Sequence, residues 1–195
     1  MLKKYTKNEP IPAACWEQVY ALLSQSLPAN ERRSREVQRA LLAREDYALY
    51  VYVDAGEVAA FVAAYEYETI RFGEHFAVSP SLRGQGLGGT LLQAYLSLST
   101  TPMLLEVEPA SFSEMAERRI GFYERHGLHL NRYPYLQPPL NKGDKTMPLC
   151  MMSWPAPLTP AGFIQARECI YKNVYGLKED EIAGLIEEAQ RRVPQ

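Results

Sequence analysis

Residues 76–90 read Phe76-Ala77-Val78-Ser79-Pro80-Ser81-Leu82-Arg83-Gly84-Gln85-Gly86-Leu87-Gly88-Gly89-Thr90. The first three close a run, RFGEHFAV at 71–78, with the aromatic and β-branched character of a strand. The residues after Gly86, with LLQAYLSLS among them, have helical character to about Ser99. A strand therefore passes into a helix through a loop with four glycines within six residues. Without a Cβ, such a backbone takes positive φ and comes close to a ligand. Its amides converge at the positive end of the following helix, which makes a nest for phosphate. Arg83 adds a fixed charge beside it. No Lys-Ser or Lys-Thr follows the glycines, so this is not a nucleoside-triphosphate loop of the GK[ST] kind. Gly84, Gly86 and Gly89 do fit GxGxxG, and Glu106 lies near the place of a ribose-binding acid, so a dinucleotide-dependent oxidoreductase stays open. Against it, residues 79–83 separate the strand from the glycines, and the chain upstream reads as an antiparallel meander instead of a βαβ unit.

Upstream, residues 12–27 read as a helix, with Pro12 in its first turn and Trp16, Val19, Tyr20 and Leu23 at helical spacing. Asn30 suits the N-cap of a second helix to about Arg44, with Val37, Ala40 and Leu41 on its apolar side. YALYVYV at 47–53 and VAAFVAAYEYE at 58–68 read as strands across a turn at 54–57. Downstream, MLLEVE at 103–108, LHLNRY at 128–133 and LCMMSW at 149–154 read as strands, and residues 113–126 as a helix ended by Gly127. Residues 133–148 read as a proline-stiffened loop. Beyond Pro155 and Pro157 the tail holds two amphipathic helices, one opened by Thr159-Pro160 with Phe163, Ala166, Ile170 and Val174 on one side. Ile182, Leu185, Ile186 and Ala189 form the stripe of the other. Those stripes need cover, from the core or from a second subunit, so a homodimer is one outcome. The pattern predicts an α+β fold, with residues 1–155 as one domain and 156–195 as a C-terminal two-helix extension.

Composition narrows the function classes. The chain has 195 residues, 47% hydrophobic and 23% charged, as a globular protein does. Its formal net charge is −2, from 21 basic and 23 acidic residues. No basic stripe is present, so neither nucleic acid nor a membrane surface is an expected partner. The three cysteines, Cys15, Cys150 and Cys169, are far apart and lack CxxC spacing, so neither a disulfide framework nor a metal site is expected. No apolar leader and no run long enough to span a bilayer occurs, which points to the cytoplasm.

The segment Arg83-Gly84-Gln85-Gly86-Leu87-Gly88 fits R/Q-x-x-G-x-G/A and resembles the coenzyme loop of the GNAT superfamily of acetyl-CoA-dependent N-acetyltransferases. AVSP at 77–80 resembles the end of that family's fourth strand. RRIGFYERHGL at 118–128 resembles its later helix, which carries a tyrosine and ends in glycine. The resemblance covers about residues 2–154, with LKKYTK at 2–7 as the first strand. It implies a mixed, mostly antiparallel sheet flanked by helices. It implies acetyl-CoA as cosubstrate, its pyrophosphate held by Arg83, Gly84, Gln85, Gly86, Leu87, Gly88, Gly89 and Thr90, and its pantetheine arm by the backbone of Phe76, Ala77 and Val78. The partner is then an amine acceptor, a small molecule or a peptide. A module that keeps the fold and binds acyl-CoA without catalysis is a further alternative.

Acyl transfer to an amine needs a base, because an ammonium has no lone pair, and an acid for the departing thiolate. On the resemblance, Tyr123 is the acid and Glu106 the first choice of base. Glu108, on the same strand face, and Glu74, on the fourth strand, are the other candidates for base. Each could instead be a solvated strand-end carboxylate. His75 is expected on the opposite sheet face from Glu74, as a structural residue. The carboxylates at 66, 68, 74, 106 and 108 suggest a cationic acceptor. The aromatic segment 133–139 either borders the acceptor pocket or is a stiff surface loop. Cys150 is expected in the core.

Overall fold

The computed structural model describes residues 2–141 and 143–193. Two compact units divide the chain, Met1–Thr101 and Pro102–Gln195.

The first unit carries strands β1 (Leu2–Tyr5), β2 (Tyr47–Asp54), β3 (Glu57–Glu66) and β4 (Arg71–Val78), with helices α1 (Ala13–Ser26), α2 (Arg35–Ala40) and α3 (Leu87–Leu96). The strands lie side by side in chain order, and each pairing is antiparallel. The β2–β3 turn places Ala55 and Gly56 at φ 49° and 86°, the double positive φ that suits the twist of a two-residue hairpin. Ala59 to Tyr65 are buried without interruption, because α1 and α3 both pack on β3. Trp16, Val19, Leu22 and Leu23 supply the buried side of α1, and Leu91, Leu92, Tyr95 and Leu96 that of α3.

Three expectations need correction here. The second helix begins at Arg35, not after Asn30, because the Ser34 hydroxyl accepts from the Val37 amide and caps it. Of its expected apolar side only Leu41 is buried, while Ala40 and Val37 are exposed. Val37 is 49% exposed, whereas Gln38 is buried and donates a 2.7 Å hydrogen bond to the Tyr47 hydroxyl. A polar side chain can be buried there because a partner waits for it. Third, strict alternation fails in β4. Ala63 faces His75 and Ala64 faces Gly73, so Glu74 is the extra residue of a β-bulge. Its carboxylate therefore lies 3.8 Å from His75 Nε2 instead of across the sheet.

Arg71 fixes α3. Its side chain is buried and its guanidinium donates to the carbonyls of Tyr95, Leu96, Ser99 and Thr101 at 3.0–3.3 Å. A helix C-terminus and the turn after it leave such carbonyls short of partners, although the Tyr95 oxygen also accepts from the Leu98 amide. A cation also suits the negative end of the helix dipole. The strand that enters the glycine loop thereby grips the far end of the helix that leaves it.

The second unit carries β5 (Met103–Val107), β6 (His129–Asn131), β7 (Leu136–Gln137), β8 (Met147–Pro148) and β9 (Cys150–Trp154), with α4 (Glu114–Arg125), α5 (Pro160–Asn173) and α6 (Glu179–Arg192). β9 lies between β5 and β6, antiparallel to both. Ser113 caps α4 by accepting from the Ala116 amide, and Gly127 ends it at φ 84°. The proline-rich stretch is not wholly a loop, since β7 and β8 pair within it, Leu136 opposite Pro148. So short a ladder tolerates proline at its ends.

The tail helices follow their expected stripes. Thr159 caps α5, and Phe163, Ala166, Ile170 and Val174 are buried. Leu185 and Ala189 are the buried residues of α6. The cover for α5 comes from its own unit: Tyr133 stacks on Phe163 at 4.6 Å and Tyr135 on Tyr171 at 5.3 Å. The proline connection before it is held by Asn131, whose Oδ1 accepts from the Leu158 amide at 2.7 Å. Among the described residues no helix is long and apolar enough to cross a membrane.

Candidate active site

The glycine loop has the geometry of an anion cradle. Gly84 and Gly86 lie at φ 78° and 80°, in the left-handed region that L side chains avoid. Gly86 is the N-cap of α3 and has no side chain to offer, so its first turn is left uncapped. A Cβ built on Gly84 or Gly86 would meet nothing within 4 Å, so the space above both is open. Helix geometry leaves the Leu87, Gly88 and Gly89 amides without intrahelical acceptors. The Thr90 amide, by contrast, donates to the Gly86 carbonyl at 3.1 Å, and the Thr90 hydroxyl bonds the same oxygen. The cradle of free amides thus ends at Gly89. Arg83 is exposed and anchored at its root: Nε donates to the Val78 carbonyl at 3.1 Å and one terminal nitrogen to Ser26 Oγ at 3.4 Å. Gln85 folds back onto the Ser81 carbonyl. Phe76, Ala77 and Val78 pair with Val62, Phe61 and Ala60 of β3. These residues fit a pyrophosphate by amide count, charge and open approach.

The candidate bases occupy different settings. Glu74 is buried and ion-paired with Arg33, itself buried. His75 beside them is held neutral, since burial, with the Arg33 charge, pushes its pKa down to about 3. Glu66 is engaged by Lys4 and by the Tyr50 hydroxyl, and Glu68 is exposed. In the second unit Glu108 pairs with Arg119 at 3.3 Å.

Glu106 is half-buried, and three neutral side chains donate to it. Oε1 accepts from the Tyr135 hydroxyl. Oε2 accepts from Gln137 Nε2 and from the Tyr175 hydroxyl, both at 2.7 Å. Burial and the Glu106 charge push the Tyr135 phenol well above its ordinary pKa, so it stays a donor. Gln137, Tyr135 and Tyr175 were not singled out by sequence as partners of Glu106. They stand 31, 29 and 69 residues from it, and no local spacing marks such contacts. The aromatic segment 133–139 is accordingly not a set of free surface rings, for Tyr135 is fully buried.

Tyr123 lies on α4 with its side chain buried. Burial pushes its phenol up to about 12, against the lowering effect of Arg119, so it is protonated at neutral pH. Among the described residues its hydroxyl has no hydrogen-bond partner. Cys150 is half-buried, and burial raises its thiol, which leaves it a weak nucleophile. Among the described residues no three His, Cys, Asp or Glu side chains are grouped to hold a metal ion.

An antiparallel meander that runs into a glycine cradle at a helix N-terminus is an α+β arrangement, not the βαβ unit of a dinucleotide fold. Residues 45–128 match the family model described as the acetyltransferase (GNAT) domain. YjbC of Bacillus subtilis, named as an acetyltransferase, is 30% identical over 167 residues, which span 85% of each chain. A protein of Bacteroides thetaiotaomicron, named as a GNAT-family acetyltransferase, superposes with a TM-score of 0.82 at 29% identity, covering 91% of this chain and 99% of that one. A GNAT-family acetyltransferase of Elizabethkingia anophelis with acetyl-CoA bound gives a TM-score of 0.52 at 17% identity, covering 78% and 95%. The chain belongs to the GNAT family of acetyltransferases.

Proposed function

We propose that the chain transfers the acetyl group of acetyl-CoA to a primary amine by direct attack, with both substrates bound at once. The observation that carries this reading is the uncapped first turn of α3 beneath Gly84 and Gly86, with Arg83 anchored beside it. The acetyl-CoA in the Elizabethkingia anophelis relative supports the same choice of ligand. In this reading the amides from Gly84 to Gly89 hold the pyrophosphate, and backbone groups of Phe76, Ala77 and Val78 hold the pantetheine arm as an added strand would. Acetyl-CoA supplies an activated thioester.

Tyr123 then gives its proton to the departing thiolate. A phenol is protonated at rest and so has a proton to give, although burial, which pushes Tyr123 up to about 12, also weakens it as an acid. Glu106 accepts a proton from the acceptor's ammonium, directly or through one water, and the free amine so formed attacks the thioester carbonyl. Glu74 and Glu108 are poorer choices, each already opposite an arginine. No covalent enzyme intermediate is needed, since Cys150 is neither exposed nor activated. We assign residues 1–155 as the acetyltransferase domain and 156–195 as its extension.

The test is calorimetric titration with acetyl-CoA and NADH, followed by a thiol-release screen with spermidine, lysine, kanamycin and an alanine-ended peptide. Acetyl-CoA binding and amine-dependent thiol release are expected. Binding with no release for any amine class would favour the non-catalytic module.

A further inference from the structure

The hydrogen bonds around Glu106 close a ring that includes the C-terminal extension. Gln137 has two amide hydrogens. Its Nε2 lies 2.7 Å from Glu106 Oε2 and 3.1 Å from the Tyr175 oxygen. The Tyr175 hydroxyl has one hydrogen, and its oxygen lies 2.7 Å from the same Oε2. Only one assignment satisfies all three contacts. Gln137 donates to both, and Tyr175 accepts from Gln137 and donates to Glu106. The reversed amide of Gln137 would put an oxygen against a carboxylate.

The frame around the ring is rigid. Tyr171 in α5 donates a 2.6 Å bond to the Leu136 carbonyl, which fixes β7 and so Gln137. Tyr135 in the same stretch holds the other carboxylate oxygen. Just past α5, the Tyr175 amide donates to the Ile170 carbonyl at 3.2 Å and so continues the helix end. Three donors from two segments therefore fix one carboxylate that lies on β5.

We infer that Tyr175, together with Gln137, is a positioning residue for Glu106, so that the C-terminal extension completes the base of this enzyme. The inference rests on the reading of Glu106 as the base. Donation to a carboxylate favours its ionised form, so loss of a donor moves its titration to higher pH. The groups facing Glu106 in this network are Tyr135, Tyr171, Tyr175 and Gln137, all neutral, and the phenols of Tyr135 and Tyr171 are both raised by burial.

The test uses the full chain with carboxyl-labelled glutamate, followed by carbon NMR across pH; Glu106→Gln identifies the Glu106 signal by its loss. In Tyr175→Phe the Glu106 midpoint is expected to rise by about half a unit or more. The acidic limb of kcat/KM, measured with the fastest amine of the screen, should move the same way while acetyl-CoA affinity stays constant. Gln137→Leu removes the other donor to Oε2 and serves equally if Tyr175→Phe does not fold. An unchanged midpoint and an unchanged limb in a folded variant, with Glu106→Gln inactive, would overturn the positioning role and leave the base standing. Full turnover in Glu106→Gln would remove the base reading, and this inference with it.

Discussion

The guanidinium of Arg71 sits 4.9 Å over the ring of Tyr95 and donates a 3.0 Å hydrogen bond to the carbonyl of the same residue. One side chain at the start of β4 thus meets the end of α3 by both charge and hydrogen bond, and three further carbonyls share it. Arg71→Met keeps much of the volume and takes the side-chain donor from all four carbonyls, of which that of Tyr95 keeps a backbone donor, the Leu98 amide. Unsatisfied buried acceptors cost about 1–3 kcal/mol each, less where water reaches them. A loss of at least about 2 kcal/mol is expected in urea unfolding. Arg71→Lys should recover little, because an ammonium cannot span four carbonyls. Wild-type stability in either variant would mean that α3 is fixed by its apolar side alone.

Gly86 separates two effects that one substitution usually confounds. A Cβ there meets no atom within 4 Å, yet φ is 80°. Gly86→Ala is therefore expected to lower stability by about 1–2 kcal/mol through backbone strain. Gly86→Asp adds a negative charge to the anion cradle. It should weaken acetyl-CoA binding at least about tenfold, or about 1.4 kcal/mol, beyond whatever alanine does. Equal calorimetric affinities for the two variants would remove the phosphate from this loop.

His75 makes stability depend on pH in a defined direction. In the unfolded chain a histidine titrates near 6.5; in the fold it titrates at about 3. Between those values the unfolded state binds a proton that the folded state refuses, so stability is present above about 6.5 and is lost as pH falls. One such group accounts for roughly 2–3 kcal/mol between pH 7 and pH 4.5. His75→Gln should flatten the urea-derived stability profile by that amount, set against the same profile of the wild type. Parallel profiles would show that His75 is free to protonate.

The parts of this fold written in local chemistry were legible in the sequence. Gly86, Ser113, Gly127 and Thr159 each mark a helix end by a rule that needs only the neighbouring residues. The meander was legible because strand period and turn residues agree over 47–78. The bulge at Glu74 was not, since an extra strand residue leaves no mark in composition, and it alone overturns the alternation at His75. Gln38 was hidden for a similar reason: a glutamine reads as a surface residue unless its partner, here Tyr47, is known. The partners of Glu106 lie in segments that meet only after folding. A tyrosine at 175 has no local feature that singles it out among thirteen.

Tyr123→Phe tests the proposed acid. The ring remains and the hydroxyl, which has no hydrogen-bond partner among the described residues, is lost, so the melting temperature should hold. A missing general acid lowers the rate about 10²- to 10⁴-fold. The fall should lie in kcat, with acetyl-CoA affinity little changed, because the interaction belongs to the transition state. Full kcat in the phenylalanine variant would make Tyr123 a packing residue.

Direct transfer to nitrogen is tested most plainly by following the acetyl carbon. Acetyl-CoA labelled in the acetyl group is mixed with the wild-type chain and the amine panel, quenched in the first turnovers, and both products and protein are weighed by mass spectrometry. The account predicts label on the amine nitrogen, in step with free coenzyme A, and none on the protein. Label recovered on a protein side chain ahead of the amine, or only as free acetate whatever amine is present, would contradict it.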